Sequence, residues 1–277
     1  MNQSQNISLT PWPMPSFQYN LAHQTYSDSQ VISEQPHIHD CYEIYVNVSG
    51  DVSFLVNNIL YPVHSGDIII TRPGDVHICV YQSRAEHECY CFWINCADDS
   101  QLLSFANRED FANFIHFPSD KRVKLLKLLQ CLNDAENTER EPERSSYLFQ
   151  LLAMLSEGKL TQPKEQTLPK SVQQVLDYIH SNFVEIHCVD DIVTMTHVSG
   201  PTLSRWFRKH LQLSPYKYVE ALKLSFAQKL LLEGCSVTEA SERAGFPDCS
   251  RFIAIFKSKF GTTPLKFKKN AINNDPG

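Results

Sequence analysis

The apolar residues of this chain change their period once, from alternation in the first hundred residues to helical spacing afterwards. Between residues 30 and 95, short β-branched and aromatic runs are bounded by Gly and polar residues, which is typical of strands. The runs are Tyr42–Val48, Val52–Val56, Ile59–Tyr61 and Asp67–Thr71. Many short strands with regular turns predict a barrel or a sandwich.

A tight hairpin is predicted where Asn57 and Asn58 separate two of these runs. Asn tolerates the positive φ that both central residues of a type I′ turn require. We therefore expect the runs on either side to pair as antiparallel strands.

Helical spacing follows Ser119 and predicts two amphipathic helices, the second over about residues 143–157. Their apolar stripes can cover the strands, pair two copies of the chain, or do both. Closed oligomers need a self-complementary surface, so we expect a homodimer through at least one helix. The residues expected to pair are Leu126, Leu129, Leu148 and Leu151.

Breaker-rich stretches set the expected boundaries. The first twenty residues contain three Pro and the aromatics Trp12 and Phe17, and they are expected to form an irregular arm. Pro163 and Pro169 mark a polar linker. The expected parts are an arm (1–20), a strand-rich domain (21–118), a helical dimerisation segment (119–157), a linker (158–170) and an all-α domain (171–270). The fold class is therefore α+β.

The last hundred residues contain the same unit twice. Each copy is a short helix, a tight turn and a second helix that ends in a basic run, and the copies are Val189–Lys209 and Val237–Lys259. Aligning Leu203 with Phe252 sets a repeat of 49 positions. A duplicated helix-turn-helix is suited to two successive major-groove faces of DNA. A predicted helix over Pro215–Glu233, about 28 Å long, would hold the two copies near the ~34 Å repeat of one DNA turn.

The outward stripe of each second helix supplies the candidate DNA contacts. Arg205 can hydrogen-bond guanine through two donors, and basic residues further along can contact phosphates. The alternative to DNA binding is a helical hairpin whose basic face is only exposed to solvent. The candidates in the first unit are Ser199, Pro201, Thr202, Ser204, Arg205, Arg208 and Lys209. Those in the second are Cys249, Ser250, Arg251, Ile253, Ala254, Lys257 and Lys259.

The charge distribution agrees with this interpretation. Residues 170–277 hold 14 Lys and Arg against 10 Asp and Glu, a net charge of +4, within a chain whose net charge is −6. A basic domain attached to an acidic one is typical of nucleic-acid binding. Nine Cys without framework spacing, no long apolar run and no basic-apolar start predict a reduced, cytoplasmic protein with no membrane span.

The C-terminal motifs resemble those of the AraC/XylS family of transcriptional regulators. The resemblance rests on Leu203-Ser-Arg-Trp-Phe-Arg-Lys209, Ala227-Gln-Lys-Leu-Leu231, Ala244-Gly-Phe246 and Phe256-Lys-Ser-Lys-Phe-Gly-Thr-Thr-Pro264. It implies a DNA-binding activator that contacts RNA polymerase. The second unit departs from the family pattern, since Ile253-Ala254 stands where a Ser-Arg pair is common. We therefore expect the first unit to dominate base readout.

A second resemblance covers about residues 30–95. His37, His39, Glu43 and Gly50 follow one conserved motif of the cupin barrel, and Gly66-Asp67 with Pro73-Gly74 and His77 follows the other. In metal-binding cupins, the positions that match the three His and Glu43 bind one metal. Residues 37, 39 and 43 also share parity, which places them on one face of a strand.

Three interpretations of this cluster stay open. It can be a metal centre, a pocket for a small polar effector such as a sugar, or packed core. The pocket candidates are His37, His39, Glu43, Tyr45, Arg72, His77 and Trp93. We expect the pocket, with no resident cofactor, and keep His37, His39, Glu43 and His77 as conditional ligands of a divalent metal.

No catalytic motif of the hydrolases, nucleotidases or dehydrogenases occurs. Cys79, Cys89 and Cys91 alternate along the predicted strands and are expected to be core residues rather than a redox site. The sequence thus predicts an effector-responsive regulator that binds promoter DNA and is not an enzyme. The alternatives are a metal-dependent cupin enzyme fused to DNA-binding helices and a regulator without an effector.

Overall fold

A computed structural model describes residues 17–26, 35–83, 85–96, 101–108, 111–138, 140–158 and 168–273. The strands are β1 (Phe17–Tyr26), β2 (Tyr42–Ser49), β3 (Val52–Val56), β4 (Ile59–Val63), β5 (Ile68–Thr71), β6 (His77–Tyr81), β7 (His87–Cys96) and β8 (Phe114–Ile115). They form two antiparallel sheets, one of five strands in the order β1-β7-β2-β5-β8 and one of three in the order β4-β3-β6.

The two sheets face each other across an apolar interior. Alternation sends Phe54 of β3 and Tyr61 of β4 inward from one sheet, where they meet Tyr45 of β2 and Ile69 of β5 from the other. All four side chains are buried. The expected barrel therefore takes the form of two packed sheets, which leaves two outer faces to be covered.

Two helices cover the outer face of the five-stranded sheet. They are α1 (Ser119–Asn137) and α2 (Glu141–Ser156), and they pack on the outward residues of β2, β5 and β7 together with a 3-10 helix over Gln101–Asn107. Leu129, Leu148 and Leu151, which the sequence assigned to a dimer interface, have 0%, 1% and 0% of their surface exposed inside this single chain. That assignment is wrong for these three residues, because the stripe covers the chain's own sheet.

The remaining helices form the duplicated domain. They are α3 (Lys170–Asn182), α4 (Val189–Thr196), α5 (Gly200–Leu211), α6 (Pro215–Leu232), α7 (Val237–Arg243), α8 (Cys249–Phe260) and α9 (Pro264–Asn273). Side chains cap two of these helices: Ser214 accepts from the backbone N–H of Lys217 at the start of α6, and Ser236 forms a capping box with Glu239 at the start of α7. The α6 helix has 18 residues and is about 27 Å long.

The first helix-turn-helix unit covers the outer face of the three-stranded sheet. Leu55, Leu60, Ile78 and Val80 point away from the sheet interior and share one apolar cluster with α3, α4, α5 and the first half of α6. At the edge of this cluster, Asn58 Nδ2 donates to Asp177 Oδ1 at 2.6 Å, and Gln212 Nε2 donates to the carbonyl of Tyr81 at 2.6 Å. The unit is therefore joined to the sheet by a continuous core.

The second unit has a core of its own. Leu224, Ala227, Leu230 and Leu231, from the second half of α6, pack with residues of α7 and α8. The turn after α7 brings Gly245 against the first unit, at φ +76°, where a Cβ would lie 2.0 Å from the carbonyl oxygen of Val184. Only glycine fits this approach, which explains that residue of the Ala244-Gly-Phe246 motif.

Other expectations about the chain are corrected here. Residues 17–20, assigned to the arm, belong to β1, which pairs with β7 along its length. The hairpin has the expected two-residue loop, but Asn57 has a positive φ of 52° whereas Asn58 does not, so the turn is not type I′. Residues 1–16 of the arm and 159–167 of the linker lie outside the described residues.

Within the described ranges, every helix is too short or too polar to span a membrane.

We expect the α1–α2 leucines to act in folding rather than in pairing. Leu151→Ala should lower the free energy of unfolding by about 2–5 kcal/mol, because it opens a cavity in a closed core. Val123→Ala is the matched control on the same helical pair, at a residue 70% exposed, and it should change that free energy by less than about 0.5 kcal/mol. Urea unfolding measures the stability of both variants, and light scattering measures their mass. A Leu151→Ala variant with unchanged stability but half the mass would restore the dimer assignment.

Candidate DNA-binding surface and interdomain site

The first recognition helix, α5, presents the predicted basic stripe to solvent. Its apolar side, Leu203, Phe207 and Leu211, is buried in the first unit. The opposite side exposes five of the predicted residues, which line one shallow concave surface: Pro201, Ser204, Arg205, Arg208 and Lys209. The arrangement leaves the Arg205 guanidinium available to a base edge in the major groove.

The two remaining candidates of this unit lie at the start of α5. Ser199 precedes the helix, and its hydroxyl donates to Thr202 Oγ1 at 2.9 Å. Ser199 is exposed and Thr202 is half-buried. Both sit at the helix N-terminus, where backbone N–H groups and hydroxyls commonly contact phosphates.

The second recognition helix, α8, offers a less polar face. Ser250, Ala254 and Lys257 are exposed at helical spacing, and Arg251 is exposed beside Asp248, whose side chain caps the helix. Cys249 and Ile253 are half-buried, and Ile253 packs on the core of its own unit. The exposed side chains of this face that can form hydrogen bonds are Ser250, Arg251 and Lys257.

Lys259 lies away from this face. It lines a cavity between the two domains, because a helix turns by about 200° over the two residues from Lys257. The sequence assigned Lys259 to DNA phosphates, and the structure places this exposed residue at the wall of the interdomain cavity.

The four residues of the cupin-like motif converge as the sequence predicts. His37 and His77 are neighbours in a backbone bridge, with N–H···O distances of 3.0 and 3.1 Å. The His37 ring lies 4.7 Å from that of His39 and 4.3 Å from that of His77, measured between centroids. Glu43 Oε2 lies 3.0 Å from His39 Nε2 and 3.1 Å from His77 Nε2.

Burial and these contacts shift the ionisation of the cluster. Burial, together with the neighbouring His77 and His39, lowers the pKa of His37 to about 3. Burial by itself raises the pKa of Glu43, but contacts with His39 and His77 outweigh it and hold that pKa far below its usual value. Trp93 Nε1 also donates to Glu43 Oε2, at 3.1 Å. The cluster therefore holds an ionised carboxylate beside a neutral imidazole.

A cavity of about 340 Å³ lies over this cluster, between the sheets and the DNA-binding domain. Four of the predicted pocket residues line it: His37, His39, Glu43 and Trp93. Sequence reasoning missed the other lining residues, which come from distant parts of the chain. They are Gln24, Gln35, Pro36, Ile38 and Cys91 from the sheet domain, and Ala221, Leu224, Ser225, Gln228, Lys259 and Phe260 from the helices.

Three predicted pocket residues do not line the cavity. His77 lies behind Glu43 with 1% of its surface exposed. Tyr45 is inside the sheets, where its hydroxyl bonds His87 Nε2 at 2.9 Å. Arg72 lies over the ring of Phe111 and 3.7 Å from Asp75. The assignment of Tyr45 and Arg72 to the pocket is therefore corrected, since each points to a different neighbour.

The segment before β2 contacts both the cluster and the DNA-binding domain. His37 and His39 belong to the cluster, whereas the residues that alternate with them contact α6. The backbone N–H of Ile38 donates to Ser225 Oγ at 2.9 Å, and Lys229 Nζ donates to Asp40 Oδ1 at 2.6 Å. A shift of His37 or His39 would therefore also move the neighbouring residues that contact α6.

The predicted core cysteines lie in the interior between the sheets. Cys79, Cys89 and Cys91 have 1%, 1% and 5% of their surface exposed. A hydrogen bond from Cys91, with a further one from His87, lowers the pKa of Cys89 to about 6 against the effect of burial. Cys91 is also the one of the three that lines the cavity.

Comparisons with known proteins agree with this two-domain organisation. The AraC-like ligand binding domain matches residues 21–153, and a helix-turn-helix domain matches residues 192–270. The Msm operon regulatory protein of Streptococcus mutans is 27% identical over 247 residues, covering 86% of this chain and 88% of the relative. The transcriptional activator RhaS of an Enterobacter species is 25% identical over 249 residues, covering 84% and 87%. The structure of ToxT from Vibrio cholerae is 14% identical and covers 91% of this chain and 97% of its own, but its TM-score of 0.39 supports no inference.

The two matched domains, in this order, define a transcriptional regulator with a ligand-binding domain and a DNA-binding domain. The chain belongs to the AraC family.

We expect base readout to depend on Arg205. Arg205→Ala should cost about 1–3 kcal/mol at the specific site and relax its base preference, because a two-donor base contact is lost. Arg243→Ala is a control, since Arg243 lies at the end of α7, where it donates to Cys235 Sγ. Gel-shift titrations measure the change, and equal affinity of Arg205→Ala for its site would refute the assignment.

Lys257 should act on all sequences alike. Lys257→Ala is expected to weaken specific and non-specific binding by similar factors and to lower the salt slope by about one unit, as for one lost phosphate contact. Base substitutions across the site should cost more in the half that faces α5 than in the half that faces α8. Larger losses in the α8 half would contradict this unequal division.

Proposed function

We propose that this regulator activates transcription when a small polar molecule, such as a sugar, occupies the interdomain cavity. The observation that supports it is the alternation along residues 37–40. His37 and His39 belong to the cavity floor, whereas Ile38 and Asp40 contact α6, with Ile38 also lining the cavity. An occupant of the cavity therefore contacts groups that also set the position of the DNA-binding domain.

The lining chemistry favours a polar ligand. Gln24, Gln35 and Gln228 offer amide donors and acceptors, while Trp93 and Phe260 offer ring faces. Pockets for small metabolites combine a few placed polar groups with aromatic surface, and their volumes begin at about 300 Å³. A monosaccharide fits both the size and the mixture of groups.

The cavity also lies beside α6, the helix that joins the two DNA-reading units. The first half of α6 belongs to the core that joins the first unit to the sheet, and the second half belongs to the core of the second unit. Lys259 and Phe260, at the end of α8, reach the cavity wall. A ligand that binds one arrangement of α8 better than another shifts the population toward it.

Activation, contact with RNA polymerase and a homodimeric state are parts of the same proposal. One relative is named as a transcriptional activator and another as an operon regulatory protein. Leu129, Leu148 and Leu151 are buried within the chain, so the proposed dimer would be formed by other residues.

The runner-up is a metal-dependent enzyme in the sheet domain, favoured by the three histidines and Glu43. It predicts turnover of the small molecule. A ligand that is recovered unchanged and alters DNA affinity supports the regulator and excludes the enzyme for that ligand.

We expect the Asp40–Lys229 contact to couple the cavity to DNA binding. A panel of monosaccharides, screened by thermal shift, supplies the ligand, and fluorescence anisotropy measures promoter affinity with and without it. Lys229→Ala should keep ligand binding but reduce the ligand-induced change in DNA affinity, because the 2.6 Å contact to Asp40 is lost. Trp93→Leu should weaken ligand binding itself, because a ring face of the pocket is removed.

Lys217→Ala is the matched control, since Lys217 pairs with Glu220 on the same helix. It should leave both ligand binding and the DNA response unchanged. If Lys229→Ala responds to ligand as the original chain does, the alternating segment is not the coupling path.

A further inference from the structure

We propose that Lys223 sets the spacing between the two recognition helices and thereby determines which separation of two DNA half-elements the chain accepts. A half-element is the base sequence that faces one recognition helix, α5 or α8. This role belongs to DNA binding without a ligand, so it does not depend on the proposed function. It follows from the way three segments meet where the two helix-turn-helix units join.

Lys223 lies at the point of α6 where one apolar core ends and the other begins. Leu222 belongs to the core that the first unit shares with the sheet, and Leu224 belongs to the core of the second unit. Lys223 itself is buried, with 5% of its surface exposed. Lysine is almost never fully buried unless its charge has a partner, so its burial at this junction indicates a specific contact.

That contact is a hydrogen bond to the backbone of the second unit. Lys223 Nζ donates to the carbonyl oxygen of Gly245 at 2.7 Å. Gly245 lies in the turn between α7 and α8, and α8 begins soon after it, at Cys249. Hydrogen bonds from a charged donor are roughly twice as strong as neutral ones. Because the acceptor is a main-chain atom, the bond holds the turn itself and therefore the start of α8.

The first unit approaches the same turn through its backbone. A Cβ on Gly245 would lie 2.0 Å from the carbonyl oxygen of Val184, in the segment between α3 and α4. A flexible side chain could move aside at such a distance, but a main-chain carbonyl cannot do so without shifting the segment. The turn is therefore limited by the backbone of the first unit and held by the side chain of Lys223.

The charges near Lys223 connect it to the first unit as well. Burial lowers the pKa of Lys223, whereas the carboxylates of Glu185 and Asp191 act against that shift. Asp191 is itself fixed, because it accepts from the backbone N–H groups of His187 and Cys188 at 2.7 and 2.9 Å. The ammonium group is thus attracted by carboxylates of the first unit while it donates to a carbonyl of the second.

Packing leaves this junction incompletely filled. A cavity of about 50 Å³ lies beside Lys223 and Gly245, and Arg251 of α8 also lines it. The hydrogen bond from Lys223 therefore restricts a movement for which the cavity leaves room. Because Arg251 is a candidate base contact, a shift of the turn would change where this side chain meets DNA.

The distance between the recognition helices affects specificity because DNA is helical. One base pair inserted between two half-elements moves them apart by about 3.4 Å and rotates one relative to the other by about 34–36°. A rigid junction therefore matches one spacing. A loose junction matches several spacings, but with lower affinity at the best one, because binding must then order the second unit.

The test uses the full chain without ligand and a library of random duplex DNA, from which the chain selects its site. Lys223→Met keeps a similar apolar stem but loses the charge and the donors. It should select the same two half-elements with a broader range of spacings. Fluorescence anisotropy on defined duplexes then measures the effect of one inserted or deleted base pair. The original chain should lose about 10-fold or more in affinity, as for a mismatched base pair, and Lys223→Met less than about 3-fold.

Two further variants separate spacing from stability. Lys223→Arg keeps the charge and the donors and should keep one preferred spacing. Lys217→Ala is the matched control on α6, at a side chain that is 60% exposed, and should behave as the original chain does. An equal loss of affinity at every spacing in Lys223→Met would show that Lys223 only stabilises the fold. That result, an unchanged spacing preference, or a range in Lys223→Arg as broad as in Lys223→Met overturns the proposal.

A variant that no longer selects the α8 half-element calls for a milder change. Lys223→Gln keeps a donor on a shorter side chain, and a broader range of spacings in this variant supports the proposal. Unchanged spacing, a second loss of the α8 half-element, or an original chain that selects a single half-element overturns it. A chain with the expected spacing preference that responds to no small molecule removes the proposed function and leaves the role of Lys223 standing.

Discussion

The fold depends on the need to cover the outer face of the three-stranded sheet. Leu55, Leu60, Ile78 and Val80 are buried there by the first helix-turn-helix unit. Burying a large apolar side chain contributes roughly 1.5–3 kcal/mol, so four contribute on the order of 6–12 kcal/mol. An exposed ion pair such as Lys229–Asp40 contributes about 0.2–1 kcal/mol. Apolar burial therefore joins the domains, and the polar contacts adjust how they meet.

That constraint leaves the two halves of the DNA-binding domain with different cores. The first unit shares its core with the sheet, whereas the second is attached through α6 and the close approach of Gly245 to Val184. Lys223 Nζ donates to the carbonyl of Gly245 at 2.7 Å and adds one polar contact to that approach. The cavity reaches the end of α8, so residues of both units line it.

Local sequence was sufficient to predict much of the secondary structure and part of the candidate site. The period of apolar residues predicted strands β2 to β5, the helix that follows Ser214 and the solvent-facing stripe of α5. The motif spacing predicted that His37, His39, Glu43 and His77 converge. Most of these features follow from backbone geometry within a few residues. The convergence of the cluster follows from a strand pairing that the motif spacing predicts. A sequence therefore carries them directly.

Tertiary structure alone decided what each apolar or basic face meets. Periodicity shows that Leu129 and Leu151 need burial, but either a sheet or a second chain could supply it, and here the sheet does. Lys259 has the character of a phosphate contact, yet its position on α8 faces the cavity. The second cavity wall comes from α6, where Ser225 contacts Ile38 across 187 positions of sequence. Such contacts depend on how the domains pack together. That packing is determined by the total apolar surface buried between distant parts of the chain, which a local sequence pattern does not reveal.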